Sequence, residues 1–253
     1  MNIVACIKRV PTTDAQAKVA SDRRSLDTSG YQYMISFYDE IAVEEAVKTK
    51  EAFGGEVTVL TIGPSAASKE LRECLAKGGD KALLLADENW LTRDNRSCAK
   101  ALASKVREVG ADLVFTGRVA TDRDNAAVGP MLATYLGWAC VTEVVELSQL
   151  SPESGRGTAK RESESGLETV EFTLPAVIAC NKGLNTPRYA GLKGIMQAKK
   201  KPLEETPCED VPNQERVLGV ELPAPRKEGR IVGEGAAAVP ALIEALQRET
   251  QVL

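Results

Sequence analysis

Short apolar runs alternate with helical patterns along the first half of this chain, and few architectures accept that order. Residues 2–7, 57–62, 81–86 and 113–115 read as buried strands. Between them, apolar residues recur at helical spacing over 39–52 (Val43, Ala46, Val47), 66–77, and 93–109 (Cys98, Ala101, Leu102, Val106, Val109). Asp39 is expected to cap the first helix, and Gly78-Gly79 to stop the second where left-handed backbone is cheap. Strands and helices in this alternation imply an α/β fold, an open and mostly parallel sheet flanked by helices. Residues 14–33 interrupt the pattern as a polar loop or hairpin excursion.

Beyond Trp138 the character changes. Residues 139–147, 159–163, 170–174 and 176–180 are close-spaced strands joined by Ser, Gly and Pro turns. Val170, Phe172 and Leu174 alternate with Glu171 and Thr173, the pattern of half-buried antiparallel strands. Residues 202–229 are rich in proline and charge and bury little of themselves; a short amphipathic helix follows at 239–246. The expected organisation is an α/β domain over 1–203 and an extended C-terminal arm over 204–253, lying on another chain.

The 253 residues are enough for a substantial core, and 43% hydrophobic with 27% charged residues is ordinary for a globular protein. A net charge of −4 gives no nucleic-acid footprint. No apolar run approaches the length of a membrane span, and Met1 leads straight into a strand pattern, so neither membrane insertion nor a secretory signal is expected. Six scattered cysteines without a C-x-x-C pair fit a reducing cytoplasm better than disulfides or a zinc site. There is no histidine. That removes the usual general base near neutral pH and the commonest metal ligand, so a binding or carrier role gains weight over hydrolysis.

The candidate site is Gly117-Arg118-Val119-Ala120-Thr121-Asp122-Arg123-Asp124-Asn125-Ala126-Ala127-Val128-Gly129. It follows the strand at 113–115 and leads into a helix pattern over 131–136. A buried strand that ends in such a turn at a helix start offers unpaired N–H groups to an anion, or is simply a polar capped loop. A second glycine pattern, Gly233-Glu234-Gly235-Ala236-Ala237-Ala238 after a small strand at 230–232, leaves too little chain for a dinucleotide unit.

Several stretches together resemble the beta (small) subunit of electron-transfer flavoproteins. They are Val4-Ala5-Cys6-Ile7-Lys8-Arg9-Val10, Tyr38-Asp39-Glu40-Ile41-Ala42-Val43-Glu44-Glu45-Ala46, the Gly117–Gly129 stretch, Gly166-Leu167-Glu168-Thr169 with Leu174-Pro175-Ala176-Val177, and residues 184–202 beginning Leu184-Asn185-Thr186-Pro187-Arg188-Tyr189. Order and spacing hold from residue 2 to about 203. The resemblance implies an adenine-nucleotide-hydrolase-like fold and one half of a heterodimer whose alpha subunit holds most of the FAD. It implies electron carriage from flavin dehydrogenases, such as acyl-CoA dehydrogenases, to a quinone oxidoreductase or another acceptor.

The same resemblance implies a structural AMP touching Cys6, Ser36, Asp39, Ile62 and the run from Gly117 to Val128. Gly117 would let the backbone approach a phosphate, the amides of 124–127 would line the helix start, and Asp122 and Asp124 would face ribose hydroxyls. Tyr38 matches an aromatic position close to the flavin ring of the neighbouring subunit. Residues 188–201 match the family's partner-recognition loop, with Leu192 as anchor, Tyr189, Ile195 and Met196 beside it, and Lys193, Lys199, Lys200 and Lys201 around it. There are departures: Ile35-Ser36-Phe37 stands where the family has Asn-Pro before the aromatic, Glu164-Ser165-Gly166 replaces acidic-Gly-Gly, and Gln197 replaces a lysine. Val128-Gly129-Pro130 is similar to the electron-bifurcating branch, in which a second FAD takes the place of AMP. No side chain is expected to act as nucleophile or general base. A stand-alone nucleotide sensor of the universal-stress type is the third reading.

Overall fold

The computed structural model describes residues 1–226 and 228–250. Lys227 and residues 251–253 of the expected arm lie outside them. The strands are β1 (Asn2–Cys6), β2 (Arg9–Pro11), β3 (Tyr33–Ile35), β4 (Glu56–Gly63), β5 (Lys81–Ala86), β6 (Leu113–Gly117), β7 (Ala139–Ser151), β8 (Arg156–Ser163), β9 (Gly166–Thr173), β10 (Ala176–Cys180) and β11 (Leu203–Pro207). The helices are α1 (Phe37–Phe53), α2 (Ser68–Lys77), α3 (Asn95–Glu108), α4 (Val128–Leu136), α5 (Leu192–Ala198) and α6 (Val239–Ala245).

Nine strands form one sheet in the order β11-β5-β4-β1-β6-β10-β7-β8-β9, and β2 pairs with β3 apart from it. The run from β11 to β7 is parallel, and the β7-β8-β9 end is antiparallel. The sheet divides its side chains by alternation. Ile3 and Ala5 of β1 join Val57, Val59, Leu71 and Leu75 on the face covered by α1 and α2. Val4 and Cys6 join Leu83, Leu85, Leu102, Val106 and Leu132 on the face covered by α3 and α4. Helices change face because the chain builds outward from β1 on one side through β4 and β5, then crosses to the other side at β6.

Strands β10 and β11 depart from the pattern read along the sequence, and β2, β3 and α5 add elements that it does not show. Strand β10, expected among the antiparallel run, lies between β6 and β7 and is parallel to both. Its five residues are all buried, as a strand covered on both faces requires. Strand β11 straddles the boundary expected at 203/204 and extends the sheet beside β5. Its ladder hydrogen bonds need no apolar periodicity, and Pro207 is tolerated because the strand is at the edge.

The described residues divide into a sheet-bearing unit, 1–16 and 27–218, and a smaller unit, 17–26 with 219–226 and 228–250. Within the smaller unit, Val19 bridges Leu26, and Val220 N–H donates to Arg23 C=O at 2.8 Å. Residues 230–232 do not form the small strand expected there: no strand pairs with them among the described residues.

Phe115 lies fully buried in β6, between β1 and β10 at the middle of the sheet. Phe115→Ala should lower stability by about 3–5 kcal/mol in urea denaturation, because the cavity cannot collapse between paired strands.

Candidate functional site

Strands β1 and β6 lie side by side, and the chain departs from them to opposite edges of the sheet. A crevice opens beyond their carboxyl ends, the place where open α/β sheets bind ligands. The cavity there is lined by Cys6, Ile7, Lys8, Asp39, Ile62, Thr116 and Gly117 at the strand ends. Residues 118–120, 122–123 and 125–129 form one wall, and Trp90, Leu91, Arg93, Asn95, Cys98 and Leu102 the other.

Asp39 fastens the base of this crevice. It does not cap α1, as the sequence led us to expect; the cap position is Ser36, whose C=O accepts from Asp39 N–H and Glu40 N–H. The Asp39 carboxylate turns instead to the strand ends, accepting Lys8 N–H at 2.8 Å and Gly117 N–H at 2.9 Å. Burial pushes Asp39 up from 3.8 to about 7, against the pull of those two N–H donors and the Lys8 charge. Gly117 is needed for this approach: a Cβ there would lie 2.5 Å from Asp39 Oδ1 and 2.8 Å from Tyr38 Cβ. Its N–H is taken by Asp39, so its role is to admit helix α1 rather than a phosphate.

The loop above is tied down at intervals. Arg118 N–H donates to Cys180 C=O at 2.8 Å, and Thr121 N–H donates to the buried Ser36 Oγ at 3.3 Å. The Arg123 guanidinium donates to Leu91 C=O and Arg93 C=O, and Asn125 Nδ2 donates to Asn95 Oδ1 at 3.3 Å. Asp124 N–H turns back to Ala120 C=O at 2.9 Å, so the free amides begin one residue later than expected. The N–H groups of Asn125, Ala126 and Ala127 find no acceptor among the described residues. Asp124 and Ala126 sit at φ 52° and 50°, the left-handed region that side chains disfavour. Left-handed Ala126 beside right-handed Ala127 curls successive N–H groups into a concave nest at the start of α4.

Most of the residues named from the sequence therefore meet in one cavity: Cys6, Asp39, Ile62, Gly117, Arg118, Val119, Ala120, Asp122, Arg123, Asn125, Ala126, Ala127 and Val128. Ser36, Tyr38, Thr121 and Asp124 stand outside its lining. The Tyr38 ring lies 5.4 Å from the Arg118 guanidinium. Asp122 has both carboxylate oxygens on Lys8 Nζ, at 2.7 and 2.8 Å, which offsets its charge beside the nest. Asp124 is exposed, 3.7 Å from Arg118. Burial, with the Asp39 charge, drives the Cys6 thiol far up, so it serves as an apolar wall.

Lys8, Arg93, Thr116 and the 90–95 connection were not singled out for the site. Lys8 belongs to the Val4–Val10 stretch, but nothing in its spacing points to Asp122. Arg93 Nη1 and Thr116 Oγ1 are buried without a partner, among the described residues, and both residues line the cavity. Orphaned donors and free amides beside the apolar strand ends fit a polar, anionic ligand with an apolar end.

An electron transfer flavoprotein domain model matches residues 25–211. Electron transfer flavoprotein subunit beta of Bacillus subtilis is 35% identical over the whole of both chains, and that of Bradyrhizobium diazoefficiens 36% over the whole of both. The Mycobacterium tuberculosis protein of that name is 38% identical over 79% of this chain and 76% of its own. The chain belongs to the electron transfer flavoprotein beta-subunit family. Its fold is the α/β arrangement expected, and no helix among the described residues is long and apolar enough to cross a membrane.

The positions for which the resemblance implies partner recognition fall on α5 and the turn before it. Tyr189 is 97% exposed, Leu192 83%, Met196 71% and Ile195 45%. Lys193, Lys199 and Lys200 are exposed around them. Lys201 does not join that ring of charge: its Nζ donates to Leu75 C=O at 3.0 Å and Gly79 C=O at 2.6 Å.

Two outcomes follow for the crevice. Gly117→Ala should cost about 1–3 kcal/mol in denaturant unfolding, since β6 or α1 must yield to the new methyl. Asp39→Asn must set an amide donor against one of the two N–H groups, at about 1–3 kcal/mol. Between pH 3.8 and about 7, folded wild type holds a proton on Asp39 that the unfolded chain has lost. The contribution of this group to stability therefore falls as pH rises through that window and is flat above it. Unfolding free energies measured from pH 4 to 8 should show that slope in wild type and a shallower one in Asp39→Asn.

Proposed function

We propose that this chain is the beta half of a heterodimer and holds AMP in the crevice between β1 and β6, while a larger alpha subunit carries most of the FAD. The observation that carries the reading is the set of unpaired N–H groups on Asn125, Ala126 and Ala127, turned into a nest at the head of α4. A phosphate monoester supplies the acceptors those amides lack, and the helix dipole favours its charge. Cys6, Ile62 and Leu102 give an apolar slot suited to adenine. Lys8 keeps Asp122 neutralised, so the carboxylate near the nest does not repel the phosphate. Asp122 is then free on its outer edge to accept from a ribose hydroxyl.

The chain's own residues bind and position. None is arranged as a nucleophile or general base, and the Asp39 carboxylate is spent on two backbone donors. Electron transfer is the chemistry that FAD supplies when bound. The reading places Tyr38, at the start of α1 and against Arg118, on the side that meets the flavin of the alpha subunit. Its exposed loop residues dock flavin dehydrogenases such as acyl-CoA dehydrogenases, and reduced carrier passes electrons to a quinone oxidoreductase or another acceptor. One apolar anchor, Leu192, within a small charged surface suits partners that must bind and leave quickly. Residues 219–250, with exposed Leu222, Ile231, Leu242 and Ile243, cover the alpha subunit. The cytoplasm, where the six unpaired cysteines stay reduced, is the compartment assigned.

Acid extraction of the purified heterodimer, followed by mass spectrometry, should recover one AMP and one FAD per complex. Two FAD and no AMP would instead place it in the electron-bifurcating branch, and no adenine nucleotide beyond one FAD would remove the reading.

A further inference from the structure

The loop that carries Leu192 is fastened at both ends by polar contacts, most of them part-buried. At its entry, Arg188 grips two glutamates on α1. Nε and Nη2 donate to Glu44 at 2.8 and 2.9 Å, Nη1 and Nη2 to Glu51 at 2.6 and 2.9 Å, and the Arg188 N–H to Glu44 at 3.1 Å. Asn185 Nδ2 donates to Ile41 C=O at 3.0 Å and Glu45 Oε2 at 2.9 Å. At its exit, Arg72 Nη1 of α2 donates to Ala198 C=O and Lys201 C=O, both at 2.6 Å, and Lys201 reaches back to the end of α2. Between these clamps, a Cβ on Gly194 would stand 2.3 Å from Ala76 C=O, so glycine lets α5 rest directly on α2.

Glu44 is buried, and among the described residues Arg188 is the one cation that pairs with its carboxylate. Loss of that guanidinium would leave a buried charge unpaired, so the contact is strongly favoured once the loop is in place. A planar fork satisfying two carboxylates fixes direction as well as distance, which a lysine cannot do. What projects between the clamps is an apolar surface with almost no contacts of its own: Tyr189, Leu192 and Met196.

We infer that Arg188 is a positioning residue for partner docking: through Glu44 and Glu51 it holds the 189–197 segment in its docking shape before a partner arrives. The inference rests on the docking role proposed above. A loop ordered in advance binds without the entropy cost of ordering it, and that difference appears in partner affinity. The same helix begins with the residues that close the nucleotide crevice, so the docking loop and the crevice share one rigid support.

The test compares wild-type heterodimer with Arg188→Ala, Arg188→Lys and Glu51→Gln. Hydrogen–deuterium exchange of residues 189–197 reads the clamp, and reduction of the complex by a medium-chain acyl-CoA dehydrogenase with its acyl-CoA reads docking. Arg188→Ala should raise exchange in that segment about tenfold and raise KM for the dehydrogenase about tenfold, with kcat and bound nucleotide kept. Arg188→Lys should fall between it and wild type, and Glu51→Gln, whose carboxylate is exposed, should change least. Unchanged exchange in Arg188→Ala would overturn the inference. So would faster exchange with an unchanged KM, because the clamp would then position nothing. Wild type that accepts no electrons from the dehydrogenase would remove the docking role itself and with it the positioning role, whereas nucleotide content would still report separately on the crevice.

Discussion

Two backbone N–H groups meet one carboxylate at the centre of this protein. Lys8 N–H lies two residues beyond β1, Gly117 N–H ends β6, and Asp39 on the first turn of α1 accepts both. At that place the order of strands reverses, so no ladder continues between the departing chains and their polar groups need another partner. Asp39 supplies it, and in doing so it sets where α1 enters, how closely it approaches β6, and how wide the crevice stands. Gly117 and the buried Ser36 follow from the same approach: the first has no room for a side chain, and the second takes the next free amide of the loop. The 118–129 loop is thereby stretched over the crevice with three amides that find no acceptor among the described residues.

Much of this was legible along the chain because it is local. Strands 2–7, 57–62, 81–86 and 113–115 show up as apolar runs, and their helices by spacing, since one side of each must be buried. The crevice residues from 117 to 128 were found together because a single turn carries most of them. What escaped depends on pairing at a distance. Nothing in the five residues of β10 says that they insert between β6 and β7, because an all-apolar strand fits any covered position. Strand β11 has no apolar pattern at all and is held by backbone bonds to β5. Asp39 looks like a cap in sequence because Asp at a helix start usually is one. Its true partners lie 31 and 78 residues away.

The charged residues of the site show the same limit. Asp122 and Asp124 look alike in sequence, two residues apart in one loop. Lys8, from the other side of the switch point, holds Asp122 by both oxygens, while Asp124 faces solvent. Lys201 reads as one more charge in the basic ring of the docking loop, yet it caps the carbonyls at the end of α2. Composition counts charges; only the fold says which of them are already engaged.

The proposed function requires an anion seated at the head of α4. A crystal structure of the heterodimer, purified without added nucleotide, tests that most directly. The expected result is a phosphate group within hydrogen-bond distance of the amides of Asn125, Ala126 and Ala127, with its base against Cys6 and Ile62. A crevice closed by its own side chains, with those three amides bonded to protein acceptors, would contradict it.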